Sequence, residues 1–100
     1  MNIEISNIEL RRGVRKSHNK CPFILALKKV LKRSIEPSTD GAFLFLHYDW
    51  RPTDVIPLPE ELIDWLYDYD WGRKVEARGF NIDLHPKTLH VRPTKALIRR

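Results

Sequence analysis

The sequence predicts a small α+β domain, on three observations. Two stretches, Pro22 to Arg33 and Pro59 to Gly72, space their apolar residues at intervals of three and four, the pattern of amphipathic helices. Around them Ile3 to Leu10, Ala42 to Trp50, Val55-Ile56 and Phe80 to Leu84 alternate or cluster apolar residues over strand-sized lengths. The chain has 100 residues, enough for one domain with a modest core, because a domain of this size keeps much of its surface wet.

Taken in order, Ile3, Ile5, Ile8 and Leu10 alternate with polar neighbours on either side of Ser6-Asn7 and read as one bulged strand or two short pieces. RRGVRKSHNK is a basic loop that ends where Pro22 can take the first helical position. Phe23, Ile24, Leu27, Val30 and Leu31 form the stripe of the first helix, expected to run to Arg33, with its Lys and Arg residues at other positions or in the last turn. Glu36 to Gly41 is a turn-forming cluster. AFLFLHYDW, from Ala42, is apolar on both alternating faces, as in a central strand covered on both sides. Pro52 and Pro57 limit the next segment to a short edge strand or extended loop.

The second helix has Pro59 near its first turn, Glu60-Glu61 facing the dipole, and a stripe of Leu62, Ile63, Trp65, Leu66 and Tyr69. Gly72 is its C-terminal stop. Val75 and then Phe80, Ile82 and Leu84 alternate again, and Thr88 to Val91 adds a last short strand before Pro93. The resulting order, β-α-β-β-α-β, is that of ferredoxin-like folds, in which two helices cover one face of an antiparallel sheet. Residues 1–92 are expected to form the domain and residues 93–100 a basic tail.

The net charge of +5 is unevenly distributed. Residues 1–35 carry nine Lys/Arg against Glu4 and Glu9, for +7; residues 73–100 carry eight against Glu76 and Asp83, for +6. Residues 36–72 carry Arg51 alone against nine Asp/Glu, for −8. Basic ends flanking an acidic middle imply either two opposed faces or an acidic face that docks the chain's own basic arms. A lone Cys21 excludes an internal disulfide framework and a CxxC site, which favours a reducing, cytoplasmic setting. The N-terminal sequence lacks a secretion signal, no apolar run is long enough to cross a bilayer, and no membrane association is expected.

Two stretches carry a resemblance: CPFILALKK, Cys21 to Lys29, and LPEELIDWLYDYDWGRKVEARGFNIDL, Leu58 to Leu84. They resemble a set of small bacterial and phage proteins with a Cys-Pro-apolar-Ala-Leu helix start and a later Leu-Pro helix ending in Asp-x-Gly. The likeness covers a third to a half of the chain and implies no activity. Where that set commonly has a Pro-Phe pair after the Gly, this chain has Ala77-Arg78-Gly79-Phe80.

Several residues invite chemistry. Cys21 sits at a helix N-terminus, where amides and the dipole lower a thiol pKa, with Lys20 and His18 close in sequence. The plainer reading, and the favoured one, is a half-buried Cys capping a helix beside Pro22, since no resolving Cys is present. His47 and Asp49 share a strand face that Asp54 or His85 could complete as a metal site; the plainer reading puts Phe43 and Phe45 in the core and leaves His47 and Asp49 as that face's exposed polar end. No cofactor or metal follows from either.

The acidic residues Asp64, Asp68 and Asp70 fit a solvated helix face better than a site. Trp50, Trp65 and Trp71 with Tyr48, Tyr67 and Tyr69 could stack on bases or fill an interface, though Trp65 and Tyr69 follow the core stripe, leaving Tyr67 and Trp71 as the exposed pair. The remaining signal is basic. Arg11, Arg12, Arg15, Lys16 and Lys20, with Lys28, Lys32 and the tail's Lys95, Arg99 and Arg100, suit phosphate contacts, though such charge equally serves solubility.

The preferred expectation is therefore a non-enzymatic domain that binds nucleic acid through phosphate contacts from the basic loop before the first helix and from the C-terminal tail. Its rival is a protein-binding accessory or inhibitory factor of the kind phages encode, using Trp50, Asp64, Tyr67, Asp68 and Trp71. Base specificity, the choice between DNA and RNA, and oligomeric state are left open.

Overall fold

The structure, a computed structural model, describes residues 1–89. Its strands form two separate antiparallel sheets. β1 (Asn2–Ile5) pairs with β5 (Arg78–Asn81), and β2 (Glu36–Thr39), β3 (Phe43–His47) and β4 (Asp54–Pro57) form a meander with β3 in the centre. The helices are α1 (Asn7–Arg12), α2 (Pro22–Lys28) and α3 (Glu60–Asp70), and Pro86–Thr88 makes a 3₁₀ turn. The fold class is α+β. The order is β-α-α-β-β-β-α-β, and this departs from the expected β-α-β-β-α-β and from a single ferredoxin-like sheet.

The first departure begins at Ser6. The expected bulged strand from Ile3 to Leu10 stops at Ile5, because Ser6 and Glu9 make a reciprocal capping box. Ser6 Oγ accepts from the Ile8 amide at 3.2 Å, and Glu9 Oε1 accepts from the Ser6 amide at 2.7 Å and from Ser6 Oγ at 2.6 Å. With its first amides satisfied, Asn7–Arg12 turns helical and Ile8 is left exposed.

The second departure is the end of α2, at Lys28 instead of Arg33. Lys29 and Val30 donate to the carbonyls of Ala26 and Leu27, a tightening three residues back that closes a helix. Leu31 then bridges antiparallel to Leu89, and the Lys32 amide donates to the Thr88 carbonyl at 2.9 Å. A tertiary backbone partner thus takes the place of another helical turn. Thr88, expected to begin a strand, closes the 3₁₀ turn, and only Leu89 pairs among the described residues of that segment.

The third departure lies in the meander. Glu36 to Gly41 is not all turn: Glu36–Thr39 pairs with β3, with buried Pro37 opposite Leu46 at a sheet edge, where a missing amide is tolerated. The turn shrinks to Asp40-Gly41, with Gly41 at φ 96° and the Asp40 carboxylate accepting from the Ala42 and Phe43 amides, each at 2.9 Å. Those two amides hold the Asp40 carboxyl below its usual range. In β3 the inward residues are Leu44 and Leu46; Phe43 is exposed and Phe45 half-buried. The expectation that Phe43 and Phe45 are core is corrected. Both faces of this strand are apolar in sequence, so alternation could not say which face turns inward.

One core joins the pieces. α2 contributes Phe23, Ile24, Ala26 and Leu27, α3 contributes Leu62, Trp65, Leu66 and Tyr69, and the β1–β5 ribbon contributes Ile3, Ile5 and Phe80. Trp65 meets Phe80 edge to face at 5.7 Å, and its indole N–H donates to the Glu76 carbonyl at 3.0 Å. α3 ends as its sequence indicates: Gly72, at φ 77°, donates to the Tyr69 carbonyl and Arg73 to that of Asp68, a Schellman closure.

Candidate functional site

The loop between α1 and α2 is folded back on itself and docked. Val14 donates to the Lys20 carbonyl and the Lys20 amide to Ser17 Oγ. Arg15 Nε donates to the Tyr69 carbonyl at 3.1 Å, and the Lys16 amide, at φ 61°, donates to Asp70 Oδ1 at 2.8 Å. The Lys16 ammonium lies over the Trp71 ring, 4.2 Å from its centroid. α3 has no basic residue in its last turn, so the loop supplies the cations that the C-terminal dipole and Asp70 attract. Arg73 completes the arrangement, pairing with Asp68 at 3.0 Å and lying over Tyr67. Of the two arrangements that the charge pattern allowed, here the acidic segment docks the chain's own basic loop.

Both sequence-derived surfaces are changed by this docking. Arg15 and Lys16 contact the end of α3 while remaining exposed, and Arg11 and Arg12, in the last turn of α1, and Lys20, in the loop, are exposed as well. On the rival surface Tyr67 and Trp71 are exposed as expected, but they pack on each other at 6.1 Å beneath Arg73 and Lys16. Asp68 is paired and Asp64 is exposed. Trp50 stands against Tyr48, at the tip of the β3–β4 hairpin, instead of joining that pair. Lys95, Arg99 and Arg100 lie outside the described residues.

A second group of cations converges where α2 gives way to the Leu31–Leu89 bridge. Lys28, Lys32 and Arg33 surround a hollow of about 200 Å³ with Leu31, Ile35 and Glu36. Lys32 also lines a cleft of about 530 Å³ with Tyr48, Trp50, Arg51, Asp54, His85 and Lys87. Within the cleft the Tyr48 hydroxyl donates to Asp54 Oδ2 at 2.6 Å, while Arg51 donates to Asp54 Oδ1 at 2.8 Å and lies over the Tyr48 ring at 4.8 Å. Burial first, and then the Asp54 carboxylate, push the Tyr48 hydroxyl up to about 12, so it stays protonated as a donor. Asp54 is thereby neutralised by Arg51. Lys32 and Lys87 have no ion-pair partner among the described residues.

In the sequence, Lys28 and Lys32 stood out as phosphate contacts, Trp50 and Tyr48 among the aromatic residues and His85 beside His47, whereas Arg33, Arg51 and Lys87 carried no site signal. No local spacing could have found them. Residues 32, 48–54 and 85–88 meet because Lys32 pairs with Thr88 and Leu31 with Leu89, a register set by the tertiary fold.

The remaining candidates are dispersed or covered. His47 faces away from the core, its ring nitrogens 3.0 Å from Ser38 Oγ and 3.2 Å from Thr53 Oγ1. Asp54 lies opposite Leu46 and is held by Tyr48 and Arg51, so His47 and Asp54 are turned to different faces. Among the described residues no group of three or more His, Cys, Asp and Glu is placed to hold a metal ion. Cys21 is buried, more so than the half-buried cap expected, and makes no side-chain cap bond.

Burial raises the Cys21 thiol, outweighing the nearby Ile24 and Phe23 amides that would lower it. Cys21→Ser is expected to fold and to retain binding, with a stability loss of about 1–2 kcal/mol for a hydroxyl in an apolar site. In the folded wild type, thiol labelling at neutral pH should be orders of magnitude slower than in denaturant. Comparable rates would show a reactive, accessible thiol.

No helix of the described residues is long and apolar enough to cross a membrane. No family model, curated protein or solved structure matches this chain.

Proposed function

We propose that the protein is a non-enzymatic domain that binds nucleic acid through its phosphates. The observation behind this reading is the gathering of Lys28, Lys32, Arg33 and Lys87 around two adjoining hollows, with no ion-pair partner for any of them among the described residues. Several other cations have partners: Lys29 pairs with Glu9, Arg51 with Asp54, Arg73 with Asp68 and Arg78 with Glu61, Arg15 donates to the Tyr69 carbonyl, and the Lys16 ammonium lies over the Trp71 ring. Cations left unneutralised side by side repel one another and are what a phosphate backbone rewards. Arg11, Arg12 and Lys20 extend the contact set. Residues 90–100 contain no Asp or Glu, so the tail with Lys95, Arg99 and Arg100 adds only positive charge.

Neutralising about four phosphates gives a log-log slope of affinity against salt of about −3 to −4 on duplex. Fluorescence anisotropy of labelled duplex and single-stranded DNA and RNA, at low and physiological salt, measures it. The variant Lys28→Ala/Lys32→Ala/Arg33→Ala should weaken binding to all sequences alike and make the slope shallower by about 2 to 3. Arg15→Ala/Lys16→Ala should change the slope less, since Arg15 donates to the Tyr69 carbonyl and the Lys16 ammonium lies over the Trp71 ring. Absence of binding at low salt would end this reading and favour a protein partner for the exposed Tyr67–Trp71 face.

A further inference from the structure

We propose that the cleft between Trp50, His85 and Lys87 receives an unpaired base of a single-stranded nucleic acid, stacked on Trp50, with the adjoining phosphates held by Lys32 and Lys87. This rests on the phosphate-binding reading and adds the substrate class. Trp50 is 60% exposed and lines the cleft. Tyr48 meets it at 5.3 Å with the planes 59° apart, so the two rings are not stacked face to face. The Tyr48 ring is already occupied by Arg51, whereas no cation lies over Trp50 among the described residues.

The polar groups are sorted in the same way. Asp54, the one carboxylate lining the cleft among the described residues, is paired with Tyr48 and Arg51. His85 Nδ1 accepts from the Lys87 amide at 3.1 Å, which puts the proton of the neutral ring on Nε2, a donor available to a base carbonyl or ring nitrogen. A volume of about 530 Å³ falls in the range of small-molecule sites and suits one nucleotide. A base within a duplex is stacked on both sides and cannot present its face to Trp50, so the cleft selects single strands.

Anisotropy with a short oligothymidylate, an abasic strand of the same length and the matching duplex tests this on the full chain. The oligothymidylate is expected to bind about tenfold more tightly than the abasic strand. Trp50→Ala should erase that difference while leaving abasic binding and the melting temperature unchanged, and Trp50→Phe should restore most of it. Equal affinity of the wild type for the oligothymidylate and the abasic strand would overturn base stacking and leave the phosphate reading standing. Failure of every probe to bind at low salt would overturn both. Thymidine monophosphate should compete only weakly, having one phosphate to offer; affinity equal to that of the oligonucleotide would overturn the strand and assign the cleft to free nucleotide.

Discussion

Leu27→Asp is expected to leave the chain without a cooperative unfolding transition. Leu27 is 0% exposed on the inner face of α2, packed in the cluster shared by both sheets and α3. Removing a buried Leu side chain costs about 2–5 kcal/mol, and an unpaired carboxylate adds several more or forces the helix off the core. Set against a total stability of about 5–15 kcal/mol, the sum exceeds what a domain of this length can lose. Leu66→Asp, from the buried face of α3, should behave alike. Near-ultraviolet circular dichroism and thermal melts check both, and a melting temperature equal to that of the wild type in either variant would refute the assigned helix faces.

The next largest effect is expected at Glu9, the one buried acidic side chain among the described residues. Burial by itself would raise its carboxyl, but the Lys29 ammonium and the hydroxyl and amide of Ser6 more than offset it and hold the group down to about 2, from 4.5. A carboxyl whose pKa is depressed by folding stabilises the folded state above its unfolded value. That contribution is complete above about pH 4.5 and is lost as the pH falls toward about 2. Lys29 is well exposed, so solvent screening discounts the ion pair.

About 2 kcal/mol is the expected loss in Glu9→Gln near neutral pH, most of it from the charge, since the Gln amide oxygen still accepts from Ser6. Urea midpoints of wild type and variant should converge as the pH approaches about 2–3. A gap that is unchanged across that window would show that the Glu9 charge contributes nothing. Glu9 was invisible as a core residue in the sequence because its strand-like neighbours, Ile8 and Leu10, suggested an alternation that the capping box at Ser6 overrides.

What was legible in the sequence was whatever neighbours within a few residues decide. The stripes of α2 and α3, the Pro22 start, the Gly72 stop and the short edge strand around Val55 and Ile56 all follow from spacing, φ restriction and missing amides. The acidic middle and basic ends were equally plain, and so was the exposed Tyr67–Trp71 pair.

Tertiary structure alone decided which of two apolar faces of β3 turns inward, since a one-residue change of register exchanges Leu44 and Leu46 for Phe43 and Phe45. It decided that α2 stops at Lys28, because Thr88 and Leu89 offer backbone partners that no local rule anticipates. It also chose which cations are committed. Arg15 and Lys16 look identical to Lys28 and Lys32 in a list of charges, yet the first pair meets the end of α3, whereas Lys32 lines the cleft beside Trp50 and Lys28 the hollow next to it. Side-chain type sets what a residue can bond to, but the partner is set by chain segments tens of residues away, and only packing brings those segments together.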